Sequence, residues 1–259
     1  MAHALQTPSP HIPWRYQGLT LGRLTVPMGA AVQALPDWGL DAAGTALDCH
    51  GVSLSAALVQ VHAALVRAQL APVPGSEQVD VWHAQTHRCI GQVDRQLARL
   101  LGMEMHSAHL LVLSEHGLCL QQRALHKAVD PGLWDTTVGG TCVAGESPDR
   151  TLLREMHEEA GLAPGQLASR QLLGHWRLER ASHLGPYAAW QHEHIHVWVA
   201  RLADPHWVPH CHDGEVMAFA WCPLDVLQAG RSGLAITHEL EVVVKAPQLQ
   251  AYLAETEHP

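Results

Sequence analysis

Residues 140–162 read GTCVAGESPDRTLLREMHEEAGL, and this stretch decides how the chain can fold. Ser147 is a residue type that caps helix N-termini, and Pro148 suits the first helical position, where no backbone N–H is needed. Gly161 tolerates the left-handed conformation that commonly ends a helix. These signals predict a single helix from Ser147 to Gly161.

Three glutamates on this helix are spaced so that they share a face. Glu155, Glu158 and Glu159 stand in an i, i+3, i+4 relation, which aligns their carboxylates on a 3.6-residue helix. The apolar positions that can bury the helix against a sheet are Leu152, Leu153, Met156 and Ala160. Clustered carboxylates repel one another unless a hard, oxygen-preferring cation neutralises them. The pattern therefore predicts a site for Mg²⁺, with Mn²⁺ as the alternative.

This segment resembles the Nudix box at every specified position: a glycine, a glutamate, then Arg-Glu-apolar-x-Glu-Glu-x-Gly-apolar. The resemblance implies an α/β fold, namely a Nudix α/β/α sandwich with a mixed sheet. It also implies that Glu155, Glu158 and Glu159 hold the divalent ions, with the Gly140 carbonyl as a further ligand. Arg154 would position the carboxylates by pairing with Glu155 or with Glu146, which lies just before the helix.

The resemblance further implies hydrolysis of a diphosphate bond in a small-molecule substrate, assisted by metal ions. Glu155 and Glu158 are the predicted catalytic carboxylates of the box. The general base is either a box glutamate or a carboxylate from a later loop, where Asp-Gly-Glu-Val offers Glu215 first and Asp213 second. An ordinary turn is an equally good interpretation of that tetrapeptide.

The chain is long enough for two domains, and its pattern changes near Gly102. We predict a small α+β N-terminal accessory domain over residues 1–102 and the Nudix hydrolase domain over residues 103–259. Periodicity and turn residues predict helices at 53–70, 92–101 and 239–253, and strands at 109–114, 117–123, 172–178, 194–201 and 216–222. Residues 14–26 also have a weakly strand-like pattern.

Two segments that precede the box indicate which branch of the Nudix proteins the chain resembles. Residues 120–127 read LQQRALHK and residues 131–140 read PGLWDTTVGG. Together with the N-terminal domain and the Asp-Gly-Glu-Val motif, they resemble the branch of Nudix proteins related to the domain attached to fungal thiamine pyrophosphokinase. That resemblance implies thiamine diphosphate or its oxidised derivatives as substrate.

Four residues are candidates for substrate binding. Arg123 and Lys127 could contact a phosphate, and Lys127 is notable because the chain has only one other lysine. Trp134 and Trp190 could stack on a heterocycle. The competing interpretation is an exposed hairpin end for the two cations and ordinary packing for the tryptophans.

Other functions remain open. The substrate could be another nucleoside diphosphate derivative, such as ADP-ribose or a dinucleotide, or the domain could bind a metabolite without turnover. Isopentenyl diphosphate isomerase resembles the chain in its Leu-Gln-Gln-Arg and Pro-Gly-x-Trp features. That enzyme needs a cysteine shortly after the tryptophan, where this chain has Val138, and Cys142 lies too late to replace it.

Composition excludes some partners. A net charge of −9 argues against binding to nucleic-acid backbone. No apolar run is long enough to cross a membrane, and residues 1–13 lack a secretory pattern, so we expect a cytoplasmic protein with reduced cysteines. The oligomeric state stays open, a homodimer included. His192, His194 and His196 alternate on a predicted strand, where we expect a polar face rather than a zinc site.

Overall fold

A computed structural model describes residues 11–83 and 85–256 of the chain. It divides into two compact units. The first unit comprises the described residues up to 105 together with 143–145 and 179–193, and the second comprises 106–142, 146–178 and the described residues from 194 onward. The first unit thus takes in residues 103–105, 143–145 and 179–193, which lie beyond the predicted boundary at Gly102. Most of the stretch used for the targeting prediction, residues 1–10, lies outside the described residues.

The first unit contains a four-stranded sheet and a separate hairpin. Its elements are β1 (His11–Tyr16), β2 (Leu19–Thr25), α1 (Val26–Gln33), β3 (Trp38–Leu40), β4 (Leu47–Cys49), α2 (Leu54–Arg67), β5 (Gln78–His83), β6 (Arg88–Asp94) and α3 (Arg95–Leu100). The sheet order is β2-β1-β4-β3, and β5 pairs with β6. The weakly strand-like N-terminal residues therefore form a β-hairpin.

The two helices predicted for this unit are present. Helix α2 is capped by Ser53, whose side chain accepts a hydrogen bond from the Ala56 amide. Helix α3 starts three residues later than predicted, because β6 continues to Asp94. The Asp94 carboxylate then caps α3 by accepting from the Leu97 amide at 2.9 Å.

The second unit carries most of a seven-stranded sheet and four helices. Its elements are β7 (Met105–Ser114), β8 (Gly117–Arg123), β9 (Trp134–Asp135), β10 (Val138–Thr141), α4 (Pro148–Ala160), a 3₁₀ turn (Pro164–Gln166), β11 (Leu167–Leu184), β12 (Tyr187–Leu202), β13 (Val216–Cys222), α5 (Leu224–Gln228), α6 (His238–Val244) and α7 (Pro247–Thr256). The order is β11-β12-β7-β8-β13, with β10 paired to β7 and β9 to β8. The β7–β8, β7–β10, β8–β9 and β8–β13 pairs are antiparallel, whereas Trp134 forms a parallel bridge with Ile236, so the sheet contains both kinds of pairing.

Helices cover both faces of this sheet. Side chains alternate between the two faces along a strand, so apolar residues on each face pack against helices. On β7, Leu110 and Val112 belong to the apolar cluster that contains Leu152 and Met156 of α4. Leu111 and Leu113 of β7 belong instead to a second cluster, which also contains Leu118 and Leu120 of β8 and side chains of α6 and α7. The predicted α/β/α sandwich with a mixed sheet is confirmed.

Two predictions of extent were wrong. The last helix, predicted over 239–253, is two helices, α6 and α7, separated at Lys245 and Ala246. Pro247 at the start of α7 explains the break, since proline has no N–H to continue the bonding of the preceding helix. Strands β11 and β12 are much longer than the predicted segments. Among the described residues, the structure has no helix with the length and apolar character needed to span a membrane.

Candidate active site

Helix α4 forms as its capping residues predict. The Ser147 hydroxyl accepts a hydrogen bond from the Arg150 amide at 3.3 Å, and Gly161 ends the helix with a φ of 60°. Leu152 and Met156 are completely buried against the sheet. The buried stripe fixes the rotation of the helix and therefore the direction in which its carboxylates project.

Arg154 connects the acidic residues of the box. Its Nη1 donates to Glu155 Oε1 at 2.8 Å and to Glu158 Oε2 at 2.9 Å, and its Nη2 donates to Glu146 Oε2 at 3.1 Å. The sequence predicted Glu155 or Glu146 as the partner, and the guanidinium pairs with both. Glu146 is held in turn by the Thr151 hydroxyl at 2.9 Å. Arg154 therefore fixes the spacing of three carboxylates.

The three box carboxylates differ in exposure. The Glu158 side chain is 40% exposed, whereas that of Glu155 is 10% exposed. Glu159 is buried to 1% exposure. Glu158 is therefore the box carboxylate that solvent and ligands reach most easily.

Glu159 is held by groups outside the helix. Its Oε2 accepts hydrogen bonds from Gln121 Nε2 and from the Gly139 amide, each at 2.9 Å. The prediction did not assign Gln121 any role, although this residue belongs to the quoted Leu-Gln-Gln-Arg motif. Only its position on β8, opposite the box helix, identifies it as a partner of Glu159.

Gly140 allows a very close approach to Glu155. A Cβ atom at position 140 would lie 2.0 Å from Glu155 Oε1 and 2.5 Å from its Cγ. The glycine of the signature is thus sterically required, because any side chain would displace the carboxylate. Its carbonyl role as a metal ligand stays a prediction.

The donor set fits a hard divalent cation. Burial raises the pKa of Glu155, an effect that the adjacent Arg154 partly offsets. Burial and the charge of Glu155 also raise the pKa of Glu159. Two buried carboxylates side by side are unfavourable as anions unless positive charge compensates them. Carboxylate oxygens are the ligands that Mg²⁺ and Mn²⁺ prefer, so the residues present match such an ion.

The structure brings Lys127 and Glu215 together. Their side chains form an ion pair, and Lys127 also exerts an electrostatic influence on Glu155 and Glu159. Asp213 accepts a hydrogen bond from the Glu215 amide at 2.8 Å, so its carboxylate shapes the turn. Two residues predicted for different roles therefore form one charged pair near the box carboxylates.

Arg123 is held by protein groups. Its Nη1 donates to Asp135 at 3.1 Å, and its Nε and Nη2 donate to the Val129 carbonyl. Asp135 also accepts from the Thr237 hydroxyl at 2.9 Å. This arrangement favours a role in closing the 124–133 loop, and the phosphate contact of Arg123 stays a prediction.

The two predicted tryptophans belong to different units. Trp134 is partly buried against the second-unit core, and its backbone bonds to Ala235 and Thr237. Trp190 belongs to the first unit, where its ring faces His11 and the Arg23 guanidinium. The contacts described for Trp190 do not include the box carboxylates, and stacking by either ring stays a prediction.

Comparison with known proteins identifies the family. A family model described as NUDIX domain matches residues 103–239, which is more than half of the chain. An uncharacterised Nudix hydrolase from Pseudomonas aeruginosa is 37% identical over 82 residues, covering 31% of this chain and 48% of that protein. An isopentenyl-diphosphate Delta-isomerase from Streptomyces griseus is 40% identical over 81 residues, covering 30% of this chain and 41% of the enzyme. The chain thus spans less than half the length of these two relatives.

Two further comparisons extend over more of the sequence. The isopentenyl-diphosphate Delta-isomerase of Roseobacter denitrificans is 31% identical over 137 residues, covering 52% of this chain and 73% of the enzyme. The crystal structure of DR0079 from Deinococcus radiodurans is similar in fold, with a TM-score of 0.51 and 19% identity over 65% of this chain and 98% of that one. With the box helix, its three carboxylates and the matched family model, the chain belongs to the Nudix domain family.

Proposed function

We propose that the protein is a Mg²⁺-dependent hydrolase that cleaves the diphosphate bond of a small-molecule substrate. The observation that carries this proposal is the carboxylate set of α4. Glu155, Glu158 and Glu159 lie on one helix face, and Arg154 and Gln121 hold them by hydrogen bonds. A purely structural helix would gain nothing from two buried carboxylates next to each other.

Glu155, Glu158 and Glu159 would hold the divalent ion, with the Gly140 carbonyl as a further ligand. A bound ion would neutralise diphosphate oxygens and promote deprotonation of the attacking water. Arg154 keeps the carboxylates apart at fixed distances, which orients them before substrate arrives. This preorganisation avoids reorganising charged side chains during the reaction.

Lys127 and Glu215 supply the remaining chemistry. The Lys127 ammonium would bind a phosphate oxygen of the substrate, which would release Glu215 from its ion pair. Glu215 would then accept a proton from the attacking water as general base, and Glu158, the more exposed box carboxylate, is the alternative base. Arg123 would act through the loop that it closes.

We propose thiamine diphosphate or an oxidised derivative as the first substrate class to test. This choice depends only on the resemblance of the 120–127, 131–140 and Asp-Gly-Glu-Val segments to the thiamine pyrophosphokinase-associated branch. The relatives described above add nothing to it. ADP-ribose and dinucleotides are the alternatives, since they present the same diphosphate bond.

An isomerase-like activity is the second candidate, because isopentenyl-diphosphate isomerases are among the relatives. The sequence between Trp134 and Thr141 contains no cysteine, and Val138 at the predicted position is completely buried. Cys142 is itself buried, at 7% exposure. These observations favour hydrolysis.

The decisive experiment is a turnover panel with Mg²⁺ and with Mn²⁺. It contains thiamine diphosphate, its oxidised forms, ADP-ribose, dinucleotides, nucleoside triphosphates and isopentenyl diphosphate. We expect metal-dependent release of phosphate or a monophosphate from at least one compound, and loss of that release in Glu158→Gln. Binding without turnover across the panel would instead identify a non-catalytic metabolite-binding module, and isomerised product would identify the second candidate.

A further inference from the structure

A second group of metal-ligating side chains lies on the sheet of the second unit. It consists of four histidines, His106 on β7, His175 on β11, and His194 and His196 on β12. These strands are neighbours, in the order β11-β12-β7. His194 and His196 share a face because they are two residues apart on one strand. None of the four belongs to the carboxylate set proposed for catalysis.

Ring nitrogens of these histidines approach one another closely. His106 Nδ1 lies 3.1 Å from His196 Nε2, and His175 Nδ1 lies 2.9 Å from His196 Nδ1. The rings of His106 and His194 are stacked with centroids 5.2 Å apart, and each offers a ring nitrogen within 4.8 Å of the other. His196 therefore uses both nitrogens within the cluster, one toward His106 and one toward His175.

Burial, together with the neighbouring imidazoles His106, His175 and His194, lowers the pKa of His196 to about 4. A neutral imidazole keeps a lone pair on one nitrogen, which is the form that binds transition metals. His175 is exposed and the other three are half-buried, so a dissolved ion can reach the group.

We propose that His106 Nδ1 and His196 Nε2 bind one Zn²⁺ or a similar borderline divalent ion. Two nitrogens on one tetrahedral zinc, each at about 2.0 Å, lie about 3.3 Å apart, close to the separation observed here. His194 is the third imidazole, which a side-chain rotation brings to the ion, and water completes the coordination. His175 is a positioning residue, because its contact with the second nitrogen of His196 fixes the orientation of that ligand.

This site differs chemically from the carboxylate site. Imidazole ligands suit zinc, copper and nickel, whereas carboxylate oxygens suit Mg²⁺ and Mn²⁺. An ion held by His106 and His196 would also join β7 to β12. Because it would bind only the folded arrangement, it would stabilise the protein against unfolding.

The test uses the tag-free, full-length protein after treatment with a chelator. Zn²⁺ is titrated in millimolar Mg²⁺, which occupies the carboxylate site, and binding is measured by calorimetry. We expect one tight equivalent in the wild type, a loss of more than about 100-fold in affinity in His106→Gln and His196→Gln, and a loss of about 10–100-fold in His175→Gln. His116→Gln, an exposed histidine in the β7–β8 turn, and Glu158→Gln should bind zinc as the wild type does.

A second measurement uses the wild-type protein, so its result does not depend on whether the variants fold. Anomalous diffraction at the zinc edge should place one ion about 2.0–2.1 Å from His106 Nδ1 and from His196 Nε2. The proposal is overturned if the wild type binds no zinc, or if the anomalous peak lies at other histidines. It is equally overturned if folded His106→Gln and His196→Gln proteins keep wild-type affinity.

Discussion

The side-chain amide of Gln121 donates a hydrogen bond to Glu159 Oε2 at 2.9 Å, and both side chains are buried. We expect Gln121→Leu to weaken Mn²⁺ binding by about 10–100-fold, because the carboxylate loses a group that orients it. Electron paramagnetic resonance titration of Mn²⁺ measures this directly. Gln122→Leu is the matched control, since Gln122 Nε2 donates to the Gly132 carbonyl instead. Equal Mn²⁺ affinities for the two variants would exclude a specific role for Gln121.

Gly140→Ala should destabilise the protein by about 1–3 kcal/mol, the usual cost of forcing an extra methyl group into a packed site. The new Cβ would overlap the Glu155 carboxylate. The free energy of unfolding is obtained from urea denaturation. Gly165→Ala is the control, because a Cβ there meets nothing within 4 Å. A Gly140→Ala protein as stable as this control would contradict the described approach of Glu155.

The Lys127–Glu215 pair allows binding and chemistry to be separated. Lys127→Met should raise KM, because the substrate phosphate loses a cation, whereas Glu215→Gln should lower kcat by about 10²–10⁴-fold if Glu215 is the general base. Steady-state kinetics on the substrate found in the panel measures both. Lys245→Met is the control, since the other lysine pairs with Glu241 on an exposed helix face. An unchanged kcat in Glu215→Gln would assign the general base to Glu158.

The raised pKa of Glu159 gives a stability difference with a defined sign. The pKa of Glu159 in the folded protein lies above the ordinary value of 4.5. The contribution of Glu159 to the free energy of unfolding is therefore greatest at or below pH 4.5 and is lost as pH rises. In chelator, we therefore expect the wild type to lose thermal stability relative to Glu159→Gln as pH rises above 4.5. Mg²⁺ should offset this loss.

Both proteins contain the same histidines, so the pH dependence of stability that the histidines contribute cancels in the comparison. The low pKa of His196 has the opposite effect, since its contribution grows as pH rises above about 4. Melting temperatures measured across the pH range, with and without Mg²⁺, provide the comparison. A difference between the two proteins that does not vary with pH would show that Glu159 is not the titrating group.

The sequence by itself determined helix α4 and the shared face of its glutamates. Both follow from interactions within one segment: a cap at Ser147, a left-handed end at Gly161, and a fixed repeat of 3.6 residues between them. The same local reasoning predicted the β7–β8 hairpin and strand β13. It failed at the ends of α3 and at Pro247, where a strand pairing and a proline overrode the apolar periodicity.

The tertiary structure alone decided which distant residues meet. Gln121 and Glu159 are 38 positions apart, Lys127 and Glu215 are 88 apart, and His106 and His196 are 90 apart. Such contacts depend on strand order and on register, and a shift of one residue would turn each strand side chain to the other face. The alternating histidines of β12 were visible in the sequence. Their neighbours His106 and His175 became visible only when β7 and β11 were placed on either side of β12, because strand pairing rather than local spacing brings those imidazoles together.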